Sequence, residues 1–252
     1  MKPRLRRVRK ISITFAVLGA ALLLGCQALV RSALFFPTHD AGDGGLAHWT
    51  QDGALIGFAR PVADPDNVWL LLHGNGGQAS HLGYALAHFS ARDAVFILEY
   101  PGYGTRPGKP SRASFDAAAL DAYQLLRAQF PGKPVCVATE SIGSGPGSTL
   151  ARAARPPDKF VFIVPFDVLK SVAHDHVPYL PTSLILAGSW NNVESLADYG
   201  GPIEVFGAEG DPVIPVAHAR NLAASRPQAK FHPIPGGHMD WVQQAQVQIR
   251  NP

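Results

Sequence analysis

The sequence predicts an α/β protein with a mainly parallel central sheet, helices on both faces and a short cap. Three observations carry that reading. Short apolar runs alternate with longer amphipathic stretches, the pattern of repeated βα units. Several of those runs are apolar at every position, as a central parallel strand buried on both faces must be. The chain has 252 residues, 46% of them hydrophobic, which is enough to fill one large core without disulfide staples.

Taken in order, segments 46–50 and 54–60 flank Asp52-Gly53, a hairpin signal, so the sheet is expected to start antiparallel. Segments 68–72, 94–100, 135–139, 160–164, 203–206 and 230–234 read as strands. Between them, 81–91, 114–130, 142–155, 215–225 and 239–250 read as helices. The stretch 165–200 is too long for a simple βα connection. It is read as one helix, 167–174, plus a small cap over the strand ends. No repeat or linker divides residues 31–252, so they are read as one domain with 165–200 as a cap insertion.

Residues 1–30 read as a signal or membrane anchor. Lys2, Arg4, Arg6, Arg7, Arg9 and Lys10 form a basic region without an acid, and an apolar run from Ile11 to Gly25 follows. Removing those six positive charges from the formal net charge of +3 leaves −3 for the remainder, so the basicity speaks to topology and not to nucleic-acid binding. Leu23-Leu24-Gly25-Cys26 matches a bacterial lipobox, which makes Cys26 a candidate lipidation site. Extended to Val30, the same run reaches about twenty residues, enough for an uncleaved span. Either alternative keeps the basic cluster inside and puts the rest of the chain on the non-cytoplasmic side, in the periplasm or cell envelope of a bacterium. The remaining cysteine, Cys136, sits in a strand and reads as a small buried apolar residue.

The chemistry centres on Val135-Cys136-Val137-Ala138-Thr139-Glu140-Ser141-Ile142-Gly143, an apolar run that ends in a serine with glycine two residues after it and threonine, only partly small enough, two residues before it. That is the sequence of a nucleophile held on a sharp strand-to-helix turn. A serine hydroxyl needs a base, an acid to orient the base, and donors for the oxyanion. Leu72-His73-Gly74-Asn75-Gly76-Gly77 runs from a strand into a glycine-rich loop, so the backbone N–H groups of Asn75 and Ile142 are the candidate oxyanion donors. Asp211 follows one strand and His238 follows the next on Gly236-Gly237. The order Ser141, Asp211, His238 is the chain order of one hydrolase architecture.

On these residues the chain resembles the α/β-hydrolase superfamily, and more narrowly its membrane-anchored Bem46-like and ABHD13-like serine hydrolases. The likeness runs from about Arg31 to Trp241 and also rests on Leu34-Phe35-Phe36-Pro37, Glu99-Tyr100-Pro101-Gly102-Tyr103-Gly104, Pro165-Phe166-Asp167 and Asp211-Pro212-Val213-Ile214-Pro215. It implies an α/β-hydrolase fold and hydrolysis of an ester or thioester through an acyl-enzyme, without cofactor or metal. Two residues depart from the family pattern. Thr139 stands where glycine is usual, and Pro146 falls early in the helix after the nucleophile.

Ser144 is excluded as the nucleophile because Ile142 and Pro146 flank it, and Asp167, a second candidate acid, is read as a helix cap. His174 and His176 alternate around Asp175 and so point to different faces of a helix, which argues against a metal site. His73 is expected to be structural, and Asp240 a surface or supporting acid. Tyr103, Tyr179, Leu180 and Trp190 are candidate lining for an acyl pocket. The expected substrate is a small-molecule or lipid-derived acyl ester. Two rivals stay open at this level: a serine aminopeptidase of the same fold, and a membrane-tethered binding module with a weakened site.

Overall fold

The computed structural model describes residues 34–186 and 188–251. Anchor residues 1–30, Cys26 among them, lie outside the described residues. Eight strands form one sheet: β1 (Ala47–Gln51), β2 (Ala54–Arg60), β3 (Val68–Leu72), β4 (Ala94–Leu98), β5 (Val135–Glu140), β6 (Phe160–Ile163), β7 (Ile203–Ala208) and β8 (Ala229–Ile234). Their order is β1-β2-β4-β3-β5-β6-β7-β8. The β1–β2 and β2–β4 pairs are antiparallel and the other five are parallel. The hairpin expected at Asp52-Gly53 is present, with both residues at positive φ (51° and 79°), as its turn requires.

All five residues of β3 are fully buried, because successive side chains enter opposite faces and both faces are covered. On one face Leu70, Leu72 and Val137 pack with Phe115, Ala119 and Leu126 of helix α1 (Arg112–Gln129). Ser111 starts that helix with a reciprocal capping box to Ser114. On the other face Trp69, Leu71 and Ile163 pack with Ala79, Leu82 and Ala85 of the 3-10 segment Ala79–His88, and with Trp241, Val247 and Ile249.

The parallel register aligns the strand ends. Leu72 lies opposite Leu98 and Thr139, Glu140 opposite Ile163, Ile163 opposite Phe206, and Ala208 opposite Ile234. The loops that carry His73, Ser141, Asp211 and His238 therefore leave from one edge of the sheet, where α/β proteins build their sites.

Several expected elements differ. The helix expected over 81–91 is the 3-10 segment Ala79–His88, interrupted at Leu82, and the helix expected over 142–155 is α-helical only over Ser144–Thr149, with 3-10 turns on either side. The helix expected over 239–250 is only a 3-10 turn, Asp240–Gln243. Beyond it Val247 and Ile249 are buried at a spacing of two, Ile249 donates its N–H to His88 O at 2.9 Å, and the tail runs extended across the 79–88 segment. The helix expected over 167–174 is helix α3, Leu169–His176, and Asp167 does not cap it. Asp167 instead takes His218 Nδ1 at 2.6 Å and Asn221 Nδ2 at 3.0 Å, both from the helix Val216–Ala224. His218 Nε2 meets Asp175 Oδ2 of α3 at 2.9 Å. The excursion that holds α3 is closed at its base by Leu169 N to Trp190 O (3.0 Å) and Asn192 N to Asp167 O (2.8 Å). It also contains the short helices Thr182–Ile185 and Asn192–Ser195.

His218 thus lies between two carboxylates, and the hydrogen bond to Asp167 raises its pKa above the ordinary 6.5 against the opposing effect of burial. A raised histidine contributes stability that is fully present below its unfolded pKa and is lost as pH climbs through its folded value. The urea-midpoint advantage of the wild type over His218→Gln is expected to be largest below pH 6.5 and to shrink as pH rises. An advantage that grows with alkalinity would show that the clasp is not ionic.

Candidate active site

Ser141 follows β5 with φ of 51°, a left-handed backbone that a non-glycine residue adopts only under constraint. Its source is the close passage of the next residues over the end of β3. A Cβ on Gly143 would lie 2.4 Å from Leu72 O and 2.9 Å from His73 O, so only glycine passes.

Thr139 fits this turn because its bulk is accommodated one helical turn further on. Its Cγ2 occupies the space where a Cβ on Gly147 would come within 2.4 Å, so Gly147 supplies the clearance. The Thr139 Oγ1 is buried without a hydrogen-bond partner among the described residues. Ser141–Gly143 is a 3-10 turn, and the α-helix begins only at Ser144, as α2 (Ser144–Thr149), with Pro146 bringing no N–H to its first turn.

His238 Nε2 lies 2.9 Å from Ser141 Oγ, and its Nδ1 lies 2.7 Å from Asp211 Oδ2. The other Asp211 oxygen accepts the N–H groups of Val213 (2.8 Å) and Ile214 (2.9 Å), which fixes the carboxylate. Gly236 takes φ of 89°, and Asp240 Oδ2 accepts the Gly237 N–H at 2.7 Å. Asp240 therefore closes the turn that presents His238.

The glycine-rich loop is held from three sides. His73 reaches Gly74 O (2.7 Å) through Nδ1 and Glu99 Oε1 (3.2 Å) through Nε2, and its ring packs on Tyr100. Gly74 N donates to Glu140 Oε2 at 3.2 Å, and Trp241 Nε1 donates to Glu140 Oε1 at 3.2 Å. The Asn75 side chain accepts from Phe36 N (3.0 Å) and Tyr103 Oη (2.8 Å) and donates to Leu34 O (2.6 Å). These bonds occupy the Asn75 side chain and leave its backbone N–H as the candidate oxyanion donor. Ile142 N, the other candidate donor, follows Ser141 directly.

These residues surround a cavity of about 510 Å³. Its walls include Phe36, Leu82, Tyr84, Val213 and Met239, with Glu140, Ser141 and His238 at its base. Burial and the charge of Glu140 raise the Tyr84 pKa, so that wall is a neutral phenol.

The expected acyl-pocket residues are not in this wall. Tyr103 is fully buried, its hydroxyl spent on Asn75. Trp190 is buried over Gly145, with Nε1 donating to Asp116 at 2.7 Å. Tyr179 and Leu180 are 98% and 52% exposed on the α3 excursion. Chain order placed these four near the strand ends, but the packing of the excursion sends two inward to the core and two out to solvent.

Other candidates have settled partners. Ser144 Oγ donates to Ser141 O (2.7 Å) and accepts from Asn192 Nδ2 (3.0 Å). His176 Nε2 turns to Val213 O at 2.8 Å while Asp175 faces His218, so these two side chains diverge. The Cys136 thiol is pushed up to about 12 by burial and stays a protonated core group. The residues that sequence reading missed are Glu140 as a bridge and the Asn75 side chain as a clamp. A carboxylate inside an otherwise apolar strand was the available signal, since such a group must find donors.

No family model matches the chain. An uncharacterized protein of Mycobacterium tuberculosis is 31% identical over 199 residues, 76% of this chain and 70% of that protein. A lysophosphatidylserine lipase of Danio rerio is 27% identical over 192 residues, covering 65% of this chain. The chain spans only 48% of that lipase. Among solved structures, an esterase of Pyrococcus furiosus superposes with a TM-score of 0.61 at 17% identity, over 82% of this chain and 92% of that one.

Gly147→Ala is expected to destabilise the protein by about 1–3 kcal/mol through overpacking. Adding Thr139→Ala should recover most of that loss by removing the methyl that the new Cβ meets. Urea midpoints measure both; identical midpoints for the single and double variants would refute the compensation.

Proposed function

We propose that this chain, which belongs to the α/β-hydrolase superfamily, is a serine hydrolase that cleaves an ester or thioester through an acyl-enzyme. One observation carries the reading: Ser141, on a strained turn, is hydrogen-bonded to His238, which is hydrogen-bonded to a buried, fully engaged Asp211.

His238 Nε2 takes the Ser141 Oγ proton as Oγ attacks the acyl carbonyl. Asp211 holds Nδ1–H and with it the tautomer whose Nε2 can accept. The developing oxyanion is stabilised by the N–H groups of Asn75 and Ile142, positions set by Glu140, Asn75 Oδ1 and the turn at Ser141. Collapse expels the alcohol or thiol with the proton from His238. Water, deprotonated by the same imidazole, then releases the acid and restores Ser141. Every group used belongs to the chain itself.

The substrate class follows from the walls. Phe36, Leu82, Val213 and Met239 suit an acyl chain, and the named activity of the lysophosphatidylserine lipases supports a lipid-derived ester. Within the superfamily we assign the chain to the membrane-anchored Bem46-like group. The basic and apolar N-terminal segment supports a catalytic domain on the non-cytoplasmic side.

Ser141→Ala is expected to abolish labelling of the membrane fraction by a fluorophosphonate probe and to lower kcat on p-nitrophenyl esters by at least about 10⁴-fold. His238→Ala should match it, because the members act as a unit. Both should keep the wild-type unfolding free energy, read from urea titrations, to within about 1 kcal/mol. Labelling that survives Ser141→Ala would sink the assignment.

A further inference from the structure

We infer that the mouth of the Ser141 cavity lies directly against a lipid bilayer, held there by an apolar rim of Phe36, Val213, Met239 and the outer part of the α3 excursion. The inference deepens the proposed hydrolase reading and rests on it for what the cavity takes in: an acyl ester entering from the lipid side.

Single exposed apolar side chains are ordinary on any protein surface, so their distribution decides the matter. Among the described residues the exposed large hydrophobics are Phe36, Leu120, Val177, Tyr179, Leu180, Ile185, Val213 and Met239. All but Leu120 fall at the cavity mouth or on the α3 excursion. Phe36, Val213 and Met239 line the cavity itself and are still 55%, 48% and 52% exposed. The excursion is tied to this rim where His176 Nε2 meets Val213 O at 2.8 Å, one residue before Val177. Tyr179, 98% exposed, follows three residues after His176 on the same excursion. A contiguous exposed apolar patch around a cavity marks an interaction surface.

Chain connectivity selects the occupant. Leu34 and Phe36 are fastened beside the cavity by the Asn75 side chain. An extended chain covers at most about 3.6 Å per residue, so Val30, the end of the apolar run, is held within roughly 15 Å of Leu34. A lipid chain on Cys26 would be held within roughly 30 Å by the same rule. Whatever membrane receives the apolar run therefore lies next to this mouth and not beside the opposite end of the sheet. Charge does not drive the contact. No Lys or Arg lines the cavity, and the ionisable groups around its mouth are Asp40 paired with His81, Asp240 bound to Gly237 N, and His176 on Val213 O, while on the excursion Asp175 pairs with His218 and Lys170 and His174 are exposed in α3. The contact is thus one of apolar side chains with neutral lipid and is insensitive to salt.

Full-length protein in phosphatidylcholine vesicles tests this. The four native tryptophans, Trp49, Trp69, Trp190 and Trp241, are all buried in the core. A Tyr179→Trp variant therefore places a new fluorophore on the rim. An Arg92→Trp variant places one at the opposite sheet edge, where Arg92 is exposed and paired with Asp66. Brominated phosphatidylcholine is expected to quench the added emission of Tyr179→Trp and spare that of Arg92→Trp, equally at low and high salt. Equal quenching of the two, or none at position 179, would overturn the inference, whether a second copy or the N-terminal segment then covers the rim. In parallel, Tyr179→Ser with Leu180→Ser should slow hydrolysis of a vesicle-embedded long-chain ester about tenfold and leave a soluble butyrate ester unaffected. Equal slowing on both esters also counts against the inference. A protein quenched as expected but inactive on the soluble ester would sink the hydrolase reading alone, so the two failures are distinguishable.

Discussion

The passage of Ser141 to Gly143 across the end of β3 leaves no room for a side chain at Gly143, and much else is arranged around it. Gly143 has no room for a Cβ against Leu72 O and His73 O. The chain can turn there only if Ser141 takes a left-handed backbone, which lifts its hydroxyl out of the strand and toward His238. The same closeness brings Gly143 against Leu72 and His73, where the glycine-rich loop starts. Thr139 would obstruct such a turn in many contexts, but here its methyl group is received by Gly147, so an irregularity at one side of the turn is matched by an open position on the other.

Strain of that kind persists only when the surroundings over-determine it, and Glu140 is central to those surroundings. Its buried carboxylate receives the Gly74 N–H from the glycine-rich loop and the Trp241 indole from the segment after His238. One side chain at the end of β5 thereby ties together the segments around Gly74, Ser141 and Trp241. A buried carboxylate without partners would be costly, and these two donors turn that cost into geometry. Ser144, Asn192 and Ser148 extend a second buried polar network from helix α2 to the base of the α3 excursion.

The first described residues have a structural task of their own. Leu34 and Phe36 bind both ends of the Asn75 amide, while Thr38 and Asp40 engage Gln78 on the far side of the glycines. Placement of the glycine-rich loop thus depends on the segment 34–40 that follows the apolar run.

What the sequence determined by itself was what local pattern encodes. Runs apolar at every position marked the buried strands, Asp52-Gly53 marked the hairpin, and a serine, an acid and a histidine each just past a strand end marked the reacting edge, because parallel strands must all finish on the same side. Tertiary structure alone decided the rest. Asp167 read as a helix cap because capping is a local property, yet its partner His218 lies 51 residues away. The 239–250 tail has helical spacing in places but gains more by laying Val247 and Ile249 across the 79–88 segment. Tyr103, Trp190, Tyr179 and Leu180 were indistinguishable as aromatic or apolar residues near strand ends. Packing made two of them core and two of them rim, since a side chain's apolarity fixes that it seeks cover but not which surface provides it.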